Sequence, residues 1–145
     1  MNRARSIIRR ATGRLGREAL VAPAPKAKGN KFGAKLAGCQ NGHQHHSRAE
    51  AYRCNNLHLL ERGGVIRSLV QQPQFWFSVN GRQVKHENGR RVGYKADFAY
   101  EEADGQGGWR PVVEDVKGPY RDDAWTLRKA LFRVLFPTVD LREVA

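Results

Sequence analysis

Asp97, Asp115 and Lys117 are the residues whose types and spacing could do chemistry. Asp97 lies in Tyr94-Lys95-Ala96-Asp97-Phe98, and the other two lie in Val112-Val113-Glu114-Asp115-Val116-Lys117. Between them Asp104-Gly105-Gln106-Gly107-Gly108 reads as a turn. A hairpin from Tyr94 to Lys117, centred between Gly105 and Gln106, sets Asp97 opposite Glu114, one residue from Asp115. A half-position shift of the turn, or a single-residue bulge, sets Asp97 beside Asp115. Strand side chains alternate, so Asp115 and Lys117 share a face. Carboxylates among Ala96, Phe98, Val112, Val113 and Val116 are costly unless something compensates them. A hard divalent cation with oxygen ligands does so, and Mg²⁺ takes one or two protein carboxylates plus substrate phosphate. Such an ion polarises a phosphoryl oxygen and acidifies a bound water. Lys117 would orient that water or help deprotonate it. The same residues also admit an ordinary Asp–Lys ion pair on an exposed strand face, and a bulge would put Glu114 in place of Asp115.

The elements that must position these groups are readable from pattern. Ser47-Arg48-Ala49-Glu50 has the form of a capping box, and Gly63-Gly64 that of a helix end, which predicts a helix over about 48–62 with Tyr52, Cys54, Leu57, Leu59 and Leu60 as its apolar residues. Val65–Val70 reads as a short strand or extended connector, and Phe75–Val79 as an aromatic strand. Asn80-Gly81 is a two-residue hairpin signal, with a return through Arg82 to Lys85. A second Asn-Gly at 88–89 leads into a strand over about Arg91–Tyr100, and Arg110–Lys117 is the next, closed by Gly118-Pro119. Asp122 or Asp123 caps a last helix with Trp125, Leu127, Leu131, Val134 and Leu135 on its apolar face, stopped by Pro137. Val139–Val144 alternates as a final strand. The order predicts an α/β fold with a mixed sheet and helices packed against it.

Charge separates the chain into two parts. The 145 residues carry a net charge of +12, of which residues 1–35 hold +9 and residues 36–145 only +3. Residues 1–30 therefore read as a basic arm and linker, with Pro23 and Pro25 ending any helix, and residues 31–145 as the folded domain. The arm tracks a phosphate backbone, is a plain solvated tail, or imitates an organellar transit peptide. The overall balance favours a polyanionic partner. The sequence offers no apolar run of the roughly 18–20 residues that a membrane span needs. Two cysteines without a C-x-x-C fit a reduced cytosolic compartment. Cys39, His43, His45, His46 and Cys54 could also be a zinc cluster, but their spacing is irregular. Most of them fall in a polar loop, which puts the histidines near solvent or near nucleic acid. Phe75, Trp76, Phe77 and Trp125 read as core and edge packing.

Ala96-Asp97-Phe98 followed by Val112-Val113-Glu114-Asp115-Val116-Lys117-Gly118 resembles the P-D…(D/E)-x-K signature of a nuclease superfamily, with Ala96 where the proline usually stands. Glu50 takes the place of the superfamily's helix-borne acid, and the element order is similar to its restriction-endonuclease-like core of helix, three-stranded antiparallel unit, helix and strand. Lys31-Phe32-Gly33, Ser47-x-x-Glu50-Ala51, Gln72-Pro73 and Leu131-Phe132 before Pro137 add a narrower resemblance to small phage-encoded endonuclease-like proteins, similar in layout to phage junction-resolving enzymes. The resemblance spans about Lys31–Ala145. It implies an endodeoxyribonuclease dependent on Mg²⁺ or Mn²⁺ in a bacterial host cytoplasm. Asp97 and Asp115 would hold the ion, Glu50 would bind it directly, through water, or serve only its helix cap, and Lys117 would act on water. Lys31, Lys35, Arg48 and Arg128 would meet DNA phosphates, and Lys129 would contact phosphate or support the site. Branched DNA is a candidate substrate, and cutting two strands suggests a homodimer. The rival reading is a non-catalytic nucleic-acid-binding accessory protein of phage origin, motivated by the basic arm.

Overall fold

A computed structural model describes residues 35–117 and 122–145. The elements in chain order begin with β1 (Ala37–Gly38), β2 (Gln44–His45), α1 (Arg48–Arg62) and β3 (Ile66–Gln71). β4 (Gln74–Trp76), β5 (Ser78–Val79), β6 (Arg82–Gln83), β7 (Gly93–Lys95), β8 (Phe98–Ala103) and β9 (Trp109–Val116) follow, then α2 (Asp123–Leu135) and β10 (Asp140–Val144). The main sheet is mixed, in the order β10-β9-β8-β3, with β10 parallel to β9 and the other pairs antiparallel. Three two-stranded pairs accompany it: β1-β2, β4-β7 and β5-β6. The architecture is α/β with a mixed sheet, as the pattern predicted.

Alternation along β8 and β9 gives the sheet two apolar faces. Phe98, Tyr100 and Val112 pack with Cys54, Leu57 and Ile66, which joins one face to α1. Ala99 and Val113 pack with Phe75, Phe77, Tyr94 and Phe132, which joins the other to α2 and the β4-β7 pair. Helix spacing named Cys54, Leu57 and Leu60 of α1 and Trp125, Leu131 and Leu135 of α2 correctly and missed at the other positions. Tyr52 and Leu59 of α1 and Leu127 and Val134 of α2 are exposed, whereas Ala51 and Phe132 are buried. Each helix covers its sheet with a narrower stripe than an apolar count suggests, and in α2 that stripe runs through Trp125 and Phe132 toward Phe136.

The caps are as the sequence prescribes. Ser47 Oγ accepts from Glu50 N at 3.1 Å at the start of α1. At its end Gly64 adopts φ 72°, and Gly64 N and Val65 N donate back to Glu61 O and Leu60 O at 3.1 and 3.0 Å. Asp122 caps α2 through Trp125 N at 2.6 Å.

The strand expected over Arg91–Tyr100 is two strands. β7 pairs with β4, and β8 pairs with β3 and β9. The chain changes sheets at Ala96-Asp97, where Ala96 N donates to Pro73 O and Asp97 N to Glu114 O, both at 3.1 Å. The Phe75–Val79 strand is likewise interrupted at Phe77, because the Asn80-Gly81 turn pairs only Ser78–Val79 with Arg82–Gln83. Gly93 permits the β4-β7 contact, since a Cβ there would lie 2.3 Å from Phe75 O. Among the described residues no helix is long and apolar enough to cross a membrane. The expected closure at Gly118-Pro119, the basic arm and Lys31 lie outside the described residues.

Candidate active site

The hairpin register brings the acids together. Asp97 lies just beyond the paired residues, where its N donates to Glu114 O and its Oδ2 accepts from Val116 N, which brings its carboxyl to Asp115. The paired residues themselves set Phe98 opposite Glu114. This is the half-shifted turn, not the register centred between Gly105 and Gln106. The two carboxyls lie within hydrogen-bonding reach of one another. Lys117 follows on the same face, with Nζ 2.9 Å from Asp115 Oδ1.

Asp115 is buried and held on several sides. The Tyr94 hydroxyl and the Trp125 indole N–H both donate to Oδ2, the latter at 2.8 Å. Burial alone would raise its pKa, but Tyr94, Lys117 and Trp125 outweigh burial and hold the carboxyl below the usual carboxylate range. Asp97 differs. Its Oδ2 accepts from Val116 N at 2.6 Å, but burial, then the neighbouring Asp115 and Glu50, push its carboxyl up to about 7. Asp115 is thus biased toward its ionised form and Asp97 toward its protonated form, as two close carboxyls in a shared site are.

Glu114 points to the opposite face. Arg53 of α1 clamps it through two hydrogen bonds of 2.7 and 2.5 Å, and the Tyr100 hydroxyl adds a third of 2.5 Å. Its side chain is an interior ion-pair partner rather than a neighbour of Asp97.

Glu50 serves the helix cap, with Oε2 accepting from His46 N and Oε1 from Ser47 Oγ, both at 3.1 Å. Its charge nevertheless reaches Asp97 and contributes to the raised pKa there. Lys129 stacks its ammonium 4.6 Å from the Trp125 ring and pairs with Glu143, so it buttresses the tryptophan that holds Asp115. Lys35 and Arg48 are exposed.

A groove of about 260 Å³ is lined by Tyr94 and Trp125, the two residues that hold Asp115, and by none of the acids or Lys117. Its cationic walls are Arg90, Arg91, Lys95 and Arg128, and its aromatic walls are Trp76, Tyr94 and Trp125. Arg91 stacks over Trp76 at 4.2 Å. Tyr94 and Trp125 therefore belong both to the groove and to the hydrogen-bond shell of Asp115. Of the cations named from sequence, Arg128 lines the groove, while Lys35 and Arg48 are not among its lining residues.

A family model described as a protein of unknown function, DUF1064, matches residues 29–145. The chain belongs to this family. No curated protein and no solved structure matches it. The matched span contains the whole acid cluster, the groove and both helices.

Sequence reasoning did not find the roles of Tyr94, Trp125 and Arg53. Tyr94 and Trp125 carried only an apolar signal, and the hydrogen bonds of their polar tips depend on the sheet switch at Ala96-Asp97 and on how α2 docks. Arg53 had a signal that went unused, since it is a cation in a helix that faces a strand carrying adjacent acids. The expected placement of the histidines near solvent holds for His46 and is corrected for His45. His45 is buried, and Cys39, His43, His45 and Cys54 converge, whereas His46 stays at the surface beside Glu50.

Proposed function

We propose that this protein is a metal-dependent endodeoxyribonuclease with a restriction-endonuclease-like core. The observation that carries the reading is the juxtaposition of Asp97 and Asp115 with Lys117 on the same face, with a cationic and aromatic groove lined by the residues that hold Asp115. The α1, β3-β8-β9, α2, β10 order supports the fold assignment.

The donor set fits Mg²⁺ or Mn²⁺. The ligands are all carboxylate oxygens, and the raised pKa of the Asp97 carboxyl, caused first by burial and then by Asp115 and Glu50, favours its protonated form. A hard divalent cation would take that proton's place. Oδ1 of Asp115 meets Lys117 and keeps lone-pair capacity for an ion, while Oδ2 is taken by Tyr94 and Trp125. Asp97 and Asp115 would hold the ion, and Glu50 would add charge from the helix cap. When bound, the ion supplies Lewis acidity toward a phosphoryl oxygen and lowers the pKa of water.

The chain's own groups do the rest. Arg90, Arg91, Lys95 and Arg128 hold the DNA backbone along the groove, and Trp76 offers a stacking surface. Tyr94 and Trp125 fix the orientation of Asp115. Lys117 Nζ orients the attacking water or accepts its proton as the new P–O bond forms and the P–O bond to the leaving sugar oxygen breaks.

The test is cleavage of single-stranded, duplex, flap and four-way-junction DNA with Mg²⁺ or Mn²⁺, with Asp115→Asn as control. Metal-dependent cutting by the wild type alone is the expected result, and the preferred member of the panel names the substrate shape. Tight binding with no cutting of any member would leave a nucleic-acid-binding accessory protein with a structural Asp–Lys pair. Light scattering on the active species reads whether two copies are needed.

A further inference from the structure

The β1-β2 hairpin is too small to hold itself. Each strand has two residues, and isolated two-stranded hairpins are marginal in water. Its turn, Cys39 to His43, is tight, with Cys39 N donating to His43 O at 2.9 Å and Gly42 at φ 82°. That turn puts Cys39 and His43 on one side, His45 follows on β2, and Cys54 faces them from the second turn of α1. One potential ligand atom from each of these four residues lies within 4.8 Å of the other three. Cys39 Sγ and Cys54 Sγ are 3.4 and 3.7 Å from His43 Nδ1. Sulfur and nitrogen ligands on one tetrahedral zinc ion are separated by about 3.5 Å, given Zn–S near 2.3 Å and Zn–N near 2.0 Å.

Two further observations point to a ligand. Cys54 is fully buried and His45 nearly so, and among the described residues His45 Nε2 has no hydrogen-bond partner. Buried polar atoms are paired in nearly all native structures, so an orphan nitrogen in a Cys/His cluster calls for a partner. The Gln71 side-chain amide lies against the His43 ring, with its nitrogen 2.8 Å from Nδ1 and 3.2 Å from Nε2; on zinc binding it would turn its carbonyl oxygen to the ring and accept from the nitrogen that does not ligate.

We infer that Cys39, His43, His45 and Cys54 form a structural zinc site that pins the β1-β2 hairpin to α1. Two thiolates and two imidazoles select a borderline-soft ion over Mg²⁺, and four protein ligands leave no open position for chemistry. The site has a consequence for the acid cluster. Only His46 and Ser47 separate β2 from α1, and Ser47 and Glu50 form the helix cap. Fixing His45 therefore fixes the start of α1 and the carboxylate of Glu50.

The experiment uses the full chain purified without chelator. Elemental analysis should give one equivalent of zinc per chain that survives dialysis and is released when a mercurial blocks the thiols. Cobalt substitution should give the visible bands of a tetrahedral ion with thiolate-to-cobalt charge transfer. Cys39→Ser, at a partly exposed position, should weaken that charge transfer, and His43→Ala should cut zinc retention at least tenfold. Asp115→Asn should keep its full zinc, which separates this site from the acid cluster whether or not the protein cuts DNA. Zinc-free protein from zinc-supplemented cells with no tetrahedral cobalt spectrum would overturn the assignment. So would a Cys39–Cys54 disulfide in the native protein, or zinc content unchanged in both variants.

Discussion

The indole N–H of Trp125 donates to Asp115 Oδ2 at 2.8 Å, which ties the first turn of α2 to the strand carrying the second acid. Trp125 N is also the donor that Asp122 caps. One residue thus sets both the start of the helix and the direction of the carboxylate. Trp125→Phe keeps the ring and removes the donor. Hydrogen bonds to charged groups contribute about 1.5–3 kcal/mol, so a loss near the lower end of that range is expected for this half-buried donor. The Asp115 carboxyl should move back up toward its ordinary value. In cleavage assays kcat should fall while KM for DNA changes little. An unchanged kcat, with stability lowered, would make the contact purely structural.

Asp97→Asn and Asp115→Asn should each abolish cleavage with the fold intact, as read by circular dichroism and melting temperature. Asp97→Asn should not lose stability at neutral pH, because the amide replaces a carboxyl that already resists ionisation there. Lys117→Ala should stop turnover while Mg²⁺ still raises the melting temperature. Wild-type cleavage rates in Asp115→Asn would remove Asp115 from the site.

Arg53 and Glu114 separate the structural acid from the chemical one. Glu114 is fully buried, and Arg53 supplies its charge partner. Arg53→Ala leaves a buried carboxylate with the Tyr100 hydroxyl, and breaking a buried pair on one side costs about 3–5 kcal/mol. The double variant Arg53→Met, Glu114→Leu should recover much of that loss. Chemical denaturation reads both values, and equal loss in the single and double variants would contradict the pairing. Residual cleavage by the folded double variant would also confirm that Glu114 takes no part in the reaction.

The acids show how far the sequence alone could go. The turn at Asp104–Gly108 and strand alternation bring Asp97 near Asp115 and put Lys117 beside it, because hairpin register is local information. Choosing between Glu114 and Asp115 needed the half-position shift, which turn composition does not encode. Helix α1 was legible to its ends because Ser47, Glu50 and Gly64 each have a backbone reason to be there. The break at Ala96-Asp97 was hidden, since it follows from β4 capturing β7 elsewhere in the chain. The Cys/His cluster was visible in its residue types but set aside for its irregular spacing, because its members converge only when Cys54, on a helix, is brought against a hairpin.

Asp97 gives a signed pH dependence. Its folded pKa, near 7, lies above the roughly 3.9 of an unfolded aspartate. Between those values the fold binds a proton that the unfolded chain has released, so metal-free protein loses stability as pH rises through that window. Mg²⁺ competes for the same site, so its stabilisation should be small well below 7 and full above it. Thermal melts with and without Mg²⁺ across this range read the difference. A Mg²⁺ shift that is constant with pH would place the ion away from Asp97.

Groove cations should set affinity rather than rate. Arg91 and Arg128 both line the groove, together with Trp76 and Trp125. If each neutralises one phosphate, its loss lowers the slope of log K against log salt by about 0.9 on duplex DNA. Arg91→Ala and Arg128→Ala should each weaken binding at low salt, and the double variant should lose about twice the slope. Arg91→Ala should additionally expose the Trp76 ring on which its guanidinium stacks. Arg48→Ala, whose side chain is exposed and away from the groove lining, should leave the slope unchanged. Binding titrations at several salt concentrations measure these slopes directly. A slope unaffected by losing both arginines would mean that DNA follows another path across the molecule, with the groove serving only to shelter Asp115.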